Sequence, residues 1–366
     1  MRKRAFPLLS SICTWVGIGL LFSTSILTAV EMDDGSDIPG VLNLLSQDGF
    51  ASIDNPGQQP FAQRKWKTPN QPLIVVRINQ SVRAYPLSLL MDREVINDKL
   101  GGTPISVTWC PLCDSALVFI RELDEQVFAL GVSGKLRHSN LILYDRLNGS
   151  LWQQATGEAL TGPWQGRHLD MLPIRIMTTA KMLKEFPDAE VATDRSGRIG
   201  YHRGHTYGDY DTIQGRPSPD LIADLPDLPV PLMQRVLAIP DGERWLVMVD
   251  RPEFFHTIIE GQTGRMIVLN RPGAESGIPP SGERRIHGDP VAWSDTLNGN
   301  DLMLQVYDQT QDNGAILYDQ EGNEWGIQGR ALTGPRKGEQ LTPIIHRRMF
   351  AFAWFSFYPD SKWLRE

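Results

Sequence analysis

The chain has 366 residues, enough for two domains of ordinary size, and its 41% apolar and 22% charged residues are the balance of a globular protein with a real core. Its formal net charge is −7. An acidic surface repels phosphate, which argues against anionic lipid as a partner and removes nucleic acid from consideration.

Arg2, Lys3 and Arg4 supply a basic end, and no further charge occurs until Glu31. The mostly apolar stretch between them, with Leu27-Thr28-Ala29 as a small-residue cleavage region, makes residues 1–30 an export signal. An uncleaved anchor is the alternative, with membrane attachment through residues 5–30. Serine, threonine and glycine dilute the run, which favours cleavage. Either way the folded part is expected outside the cytoplasm, periplasmic or secreted, where a disulfide persists.

Residues 31–71 are polar and punctuated by Pro39, Pro56, Pro60 and Pro69, so an extended N-terminal arm is expected, with one short helix around residues 41–45. The β-branched run Leu73-Ile74-Val75-Val76-Arg77-Ile78, the turn Asn79-Gln80 and the return Val82-Arg83-Ala84-Tyr85 predict a hairpin. Pro86 opens a short helix through Met91, and Gly101-Gly102 precede a strand that leads into Trp109-Cys110-Pro111-Leu112-Cys113. Residues 116–120 and 126–130 flank an acidic turn and read as a second hairpin. Residues 141–145 and 150–152 flank Leu147-Asn148-Gly149 and read as a third. Thr178 or Thr179 caps a helix that Pro187 stops at Phe186.

The second half repeats the first. Leu143-Tyr144-Asp145 recurs as Leu317-Tyr318-Asp319, and Trp152 as Trp325. Ala159-Leu160-Thr161-Gly162-Pro163 recurs as Ala331-Leu332-Thr333-Gly334-Pro335, and Phe186-Pro187-Asp188 as Tyr358-Pro359-Asp360. Two copies are too few for a solenoid or a propeller. The expected fold is therefore α+β and β-rich, with two duplicated domains related by a pseudo-two-fold axis. The first repeat domain spans 72–190 and the second 233–366, joined by a linker over 191–232 that holds five prolines.

Cys110 and Cys113 are the only cysteines beyond the N-terminal segment. A Cys-x-x-Cys turn brings two sulfurs close enough to bridge or to grip a soft metal, and the proline inside it stiffens the corner. Three readings stay open: a short structural disulfide, a redox-active pair, and a metal site, with copper favoured over zinc if thiolates dominate. The redox reading is weakened because the motif opens no helix that would lower a thiol's pKa. Further ligands are scarce. Of the seven histidines, His138 is nearest and lies in a polar turn expected to be exposed, and His202 and His205 form the only close pair. Aligning Met266-Ile267-Val268-Leu269-Asn270-Arg271-Pro272 on the strand into the first cysteine places Arg271 at Cys110 and Ala274 at Cys113. The scaffold can thus be built without thiols.

Candidate pocket residues around the Cys turn are Trp109, Ser115, Ser133, Asn140, Asp145 and Arg146, with Asp145 and Arg146 expected as a charged pair. Residues shared by both copies, such as Tyr144 and Trp152, are assigned to structure. Ser133, Asn140 and Arg146 lack a clear counterpart and are the better site candidates. No Ser-x-x-Lys, nucleophile elbow, P-loop or zincin motif is present.

These motifs also carry a resemblance. Ala84-Tyr85-Pro86-Leu87, Val95-Ile96-Asn97-Asp98, Trp109-Cys110-Pro111-Leu112-Cys113, Gly131-Val132-Ser133-Gly134-Lys135-Leu136 and Ser150-Leu151-Trp152-Gln153-Gln154 resemble a prokaryotic family known as domain of unknown function 3179. The ending Phe352-Ala353-Trp354-Phe355-Ser356-Phe357-Tyr358-Pro359 is similar too, so the likeness covers residues 72–360. It implies an exported or anchored location and no established activity. Two features depart from the family pattern: Arg93-Glu94, where members often have His-Glu, and the histidine-rich segment over 201–207.

The expected function is an exported protein with a thiol-redox or metal-handling centre at the Cys turn, on a corner that borders a cleft. The alternative is a non-catalytic envelope binding or scaffold protein with a structural disulfide. Hydrolysis of an envelope polymer is a third reading, without paired carboxylates to support it.

Overall fold

The computed structural model describes residues 35–364 apart from 67, 201–209, 211, 213–214, 223, 252 and 276–285. The N-terminal segment and the pair His202 and His205 lie outside the described residues. The protein is β-rich with few helices. No helix among the described residues is long and apolar enough to cross a membrane.

The first expected hairpin is present. Pro72–Ile78 pairs with Ser81–Pro86 around Asn79, whose φ of 55° suits an Asn at a tight turn. It forms the centre of a five-stranded sheet in the order Ile174–Thr178, Pro72–Ile78, Ser81–Pro86, Glu190–Thr193, Gly57–Pro60. Pairing is antiparallel except between Glu190–Thr193 and Ser81–Pro86. Ile174–Thr178 runs into the helix Thr179–Glu185, which the Thr178 side chain caps by accepting a bond from Lys181 N. Leu87–Leu90 is the short helix that Pro86 opens.

A second sheet has the order Ile53–Asp54, Val95–Leu100, Thr103–Cys110, Ser115–Ile120. Here one expectation fails. Residues 116–120 do not pair with 126–130; they pair back onto Thr103–Cys110, with Cys110 opposite Ser115. The Cys motif is therefore the turn of a hairpin. The Arg121 guanidinium donates to the carbonyls of Asp98, Ile105 and Phe128, which carries the chain across the sheet rather than back along it. The acidic turn survives only as a small ribbon, Glu122–Leu123 with Gln126–Val127.

A third sheet has the order Val41–Asn43, Leu130–Arg137, Asn140–Asp145, Leu151–Gln153. The expected helix near residue 41 is thus a strand, because an open sheet edge offers its backbone groups the partners that a single helical turn would lack. The arm as a whole contributes an outer strand to each of these three sheets. The linker likewise starts later than expected, since Glu190–Thr193 is a strand.

The same order of pairings occurs further along the chain. Arg347–Phe350, Arg235–Asp241, Arg244–Val249 and Lys362–Trp363 form a sheet in that order, the last pair parallel, and the helix Ala351–Phe357 follows Arg347–Phe350. Phe255–Gly261, Gly264–Asn270 and Val291–Ser294 form a second sheet, and Gln305–Val306, Ala315–Tyr318 and Glu324–Gly326 a third. The largest core cluster is shared between the halves. Cys110, Cys113, Leu117 and Trp152 pack in it with Val236, Met349, Phe350 and Trp354. Burial of this many large side chains, each contributing about 1.5–3 kcal/mol, holds the halves against each other.

Candidate functional site

Cys110 ends its strand, and Cys113 N donates back to Cys110 O across the turn at 3.3 Å. Both thiols are free and buried. The facing element is the two-residue turn His138-Ser139, which joins Leu130–Arg137 to Asn140–Asp145 with φ of 51° and 60°. Positive φ is uncommon for any residue but glycine. It is held because Ser139 N and Oγ both donate to Leu221 O, at 3.2 and 3.3 Å. The turn aims the Ser139 carbonyl at the sulfurs, 3.2 Å from Cys113 Sγ and 3.6 Å from Cys110 Sγ. Burial, the neighbouring Cys110 sulfur and the Asp114 carboxylate push the Cys113 thiol up, against a smaller opposing effect of Asn140. A protonated thiol donating to a carbonyl is the reverse of an activated nucleophile.

Beside the sulfurs lies a buried amide cluster. Asn140 Nδ2 donates to Gln154 Oε1 at 2.8 Å and to Ser115 Oγ at 3.2 Å, while Ser115 Oγ donates to Gln154 Oε1 at 2.8 Å. Gln154 Nε2 donates to Thr108 Oγ1 and Ser115 O, and Gln153 Nε2 to Asn140 Oδ1. Trp109 is buried, its Nε1 3.4 Å from Asp114 Oδ1, and Arg235 Nε meets the other oxygen of Asp114. Asn140, Ser115 and Trp109 thus lie at the turn. Asn140 and Ser115 bind each other and Gln154, and Trp109 binds Asp114, so these groups brace the turn.

Ser133, Asp145 and Arg146 are placed elsewhere. Ser133 Oγ donates to Ile142 O at the bulge between Val132 and Lys135. Asp145 accepts from Leu147 N, Asn148 N and Trp152 Nε1, a set mirrored by Asp319 and Trp325. The expected Asp145–Arg146 pair is not formed. Successive strand residues face opposite sides, so Asp145 points inward, and Arg146 turns out to Asp54 at 2.6 Å and Asp48 at 3.3 Å, clamping the arm. His138 is half-buried rather than exposed, edge-on to the Phe357 ring at 5.3 Å. No three His, Cys, Asp or Glu side chains among the described residues converge as metal ligands. Among the described residues the turn is covered from two sides: Phe350 N donates to Cys113 O at 2.9 Å, and Tyr210 Oη donates to Leu112 O at 2.8 Å.

An open cleft of about 430 Å³ lies on a second seam between the halves, apart from the one that Arg347 and Ala155 form. Val75, Ile174 and Phe186 line it from the first half; Trp293, Ile327 and Ile344 from the second. Arg77 and Gln328 face each other across it, Nη1 to Oε1 at 3.4 Å, and Gln328 Nε2 reaches Glu185 O at 3.3 Å. Arg175 lines its floor but is engaged by Glu185 at 2.7 Å and by Asp289 at 2.6 Å. Burial alone would lift the Asp289 carboxyl; Arg175, Arg271 and Lys181 hold it down to about 2. Sequence reasoning missed this cleft because its walls come from segments more than a hundred residues apart and share no motif. Glu94, noted in the sequence only as part of a departure from the family pattern, sits at φ 59°, and the Trp109 backbone N–H donates to its carbonyl. Burial raises the Glu94 carboxyl to about 7.

The arrangement defines a β-rich protein whose two halves share a core, enclose a braced thiol turn and leave a ligand-sized cleft along their seam. The family model described as protein of unknown function (DUF3179) matches residues 47–361, and the chain belongs to that family. No curated protein and no solved structure matches the chain.

Proposed function

We propose that this is an exported, non-catalytic binding protein of the cell envelope, and that its ligand site is the cleft at the seam. The address rests on the basic-then-apolar N-terminus. The cleft carries the binding reading, being ligand-sized, mostly apolar and built from both halves. The reading includes a duplication, with residues 72–190 and 233–366 as two copies of one domain about a pseudo-two-fold axis. Its support is register: Arg175 pairs with Val75, and Arg347 with Ala238, at matching places in the two hairpin sheets. In this reading Cys110 and Cys113 clasp the seam and carry no chemistry. Native mass spectrometry of protein taken from its own envelope tests the function, with Ile327→Trp as a variant that fills the cleft. A small molecule retained by the parent protein and lost from the folded variant is expected. Retention by both, or by neither, would overturn the proposal.

A second reading, thiol redox or copper or zinc handling, is favoured by one observation: the two sulfurs converge on a single carbonyl. It requires the turn to open. Alkylation followed by peptide mapping of residues 110 and 113 decides it, since rapid labelling of the folded protein at pH 7 would support exposed chemistry and protection would not.

A further inference from the structure

Resting on the cleft as the binding site, we infer that its ligand is an amphipathic organic anion: one carboxylate or sulfonate on a compact apolar body. In a chain of net charge −7, no Asp or Glu is among the described residues that line the cleft, while Arg77, Arg175 and Arg330 are. Elsewhere Arg83, Arg146 and Arg235 each sit against an acid, and the cleft has none on its walls.

The three cations are not equivalent. Arg175 is neutralised by Glu185 and Asp289 and serves the fold. Among the described residues Arg77 is held by neutral groups, with Nε donating to Asn79 O at 3.3 Å and Nη1 to Gln328 Oε1 at 3.4 Å. Its charge is oriented without being cancelled. Arg330 stands exposed at the rim, and Gly338 keeps the space before it open, since even a Cβ there would start 4.0 Å from Nη2. A guanidinium stays charged at any physiological pH and matches a carboxylate or sulfonate with paired N–H donors. His346 adds no charge, because burial takes its imidazole down to about 4. Asn79, Gln80, Gln328 and Gln340 add neutral polar groups, and Ile174, Phe186, Trp293, Ile327 and Ile344 form an apolar wall. A bare inorganic anion would leave that surface uncovered, and an uncharged apolar molecule would leave two guanidinium groups without a counter-charge.

The matching stretch of the other seam supports a ligand here. There Arg347, the counterpart of Arg175, lies 4.5 Å from the centre of the Trp245 ring, donates to Tyr358 Oη at 2.5 Å and reaches Ala155 O at 3.2 Å. Trp354 packs against Trp245 and Tyr358 behind it. One seam is filled by the protein's own aromatic rings beside an arginine. The other keeps arginines and an apolar wall with the filling left out, and an aromatic or branched body bearing an anion replaces it.

Calorimetric titration of the full chain with 2-naphthoate and with its uncharged analogue 2-naphthalenemethanol tests this. The carboxylate should bind at least tenfold more tightly. Arg77→Gln and Arg330→Gln should each weaken it several-fold while leaving the alcohol unchanged, and Ile327→Trp should abolish both. Circular dichroism and melting curves establish that each variant is folded. Equal affinity for the two compounds would overturn the anion assignment and leave the cleft a binding site. Carboxylate binding unaffected by both arginine variants would overturn it as well. Failure of both compounds to bind would remove the binding reading itself.

Discussion

Cys113 Sγ lies 3.2 Å from the carbonyl oxygen of Ser139, at the tip of a turn whose two residues both have positive φ. The S–H supplies a donor to a carbonyl that faces away from water. That bond, more than the volume of sulfur, is what a substitution removes. Cys113→Ser keeps a donor in nearly the same place, whereas Cys113→Val keeps the bulk and loses it. An unsatisfied buried acceptor costs about 1–3 kcal/mol, an upper bound here because Cys110 Sγ, 3.6 Å away, still donates to the same oxygen. Cys113→Val should therefore be the less stable of the two in urea denaturation. The reverse order would show that packing governs the turn.

The same turn is tied to the second half by Asp114 and Arg235, an ion pair with only 3% of each side chain exposed. Removing one partner from such a pair leaves a buried charge uncompensated, at a cost of about 3–5 kcal/mol. Asp114 has φ 49°, a conformation that Asn tolerates, so Asp114→Asn isolates the charge from the backbone. The single variants Asp114→Asn and Arg235→Gln should each be strongly destabilised, and the double variant should recover part of the loss. A double-mutant cycle in denaturant measures the coupling, and additive losses would contradict it.

Much of the fold was legible because its signals are local. Asn79, Thr178 and Pro86 each do at their own position what their chemistry favours, and the hairpin and helices follow. The strings Leu143-Tyr144-Asp145 and Leu317-Tyr318-Asp319 recur because each Asp accepts from a Trp indole, 3.1 Å away in both halves. The failures were failures of pairing. Residues 41–43 took the distant strand Leu130–Arg137 as partner, while residues 116–120 paired with the preceding strand Thr103–Cys110 rather than the following one, a choice between neighbours that an apolar run leaves open. The Cys turn and the residues bracing it were found by type, Cys110, Cys113, Ser115 and Asn140 among them. Their enclosure was not, since Phe350 covers them from more than two hundred residues away.

Gly134 is where the arm is fastened, with its carbonyl accepting from Leu44 N at 3.0 Å and Leu45 N at 3.1 Å. Its φ is 80°, and a Cβ built on it would fall 2.1 Å from the Leu45 carbonyl oxygen. Backbone cannot yield as a flexible side chain can. Gly134→Ala should lower stability by about 1–3 kcal/mol and release the arm. Limited proteolysis should then cut near residues 44–50 well before the rest of the chain. An unchanged cleavage pattern would show that the Arg146 clamp on Asp48 and Asp54 suffices.

Two titrating groups set opposite pH dependences. Glu94 is raised from 4.5 to about 7 by burial, so its stabilising contribution is complete below pH 4.5 and is lost as pH rises through 7. His346 is lowered from 6.5 to about 4 by burial, with Arg348 and Arg175 adding to the effect. Its contribution is complete above pH 6.5 and is lost as pH falls through 4. Glu94→Gln, which cannot ionise, should therefore gain stability over the parent at pH 8, on the order of 1 kcal/mol or more, and little at pH 4. His346→Gln should do the opposite, narrowing its deficit or gaining on the parent only below pH 6. Melting temperatures across pH 4–8 separate the two, because each variant flattens a different flank of the stability curve. If Glu94→Gln shifted the acidic flank instead, Glu94 would be ionised in the folded protein and paired with a cation.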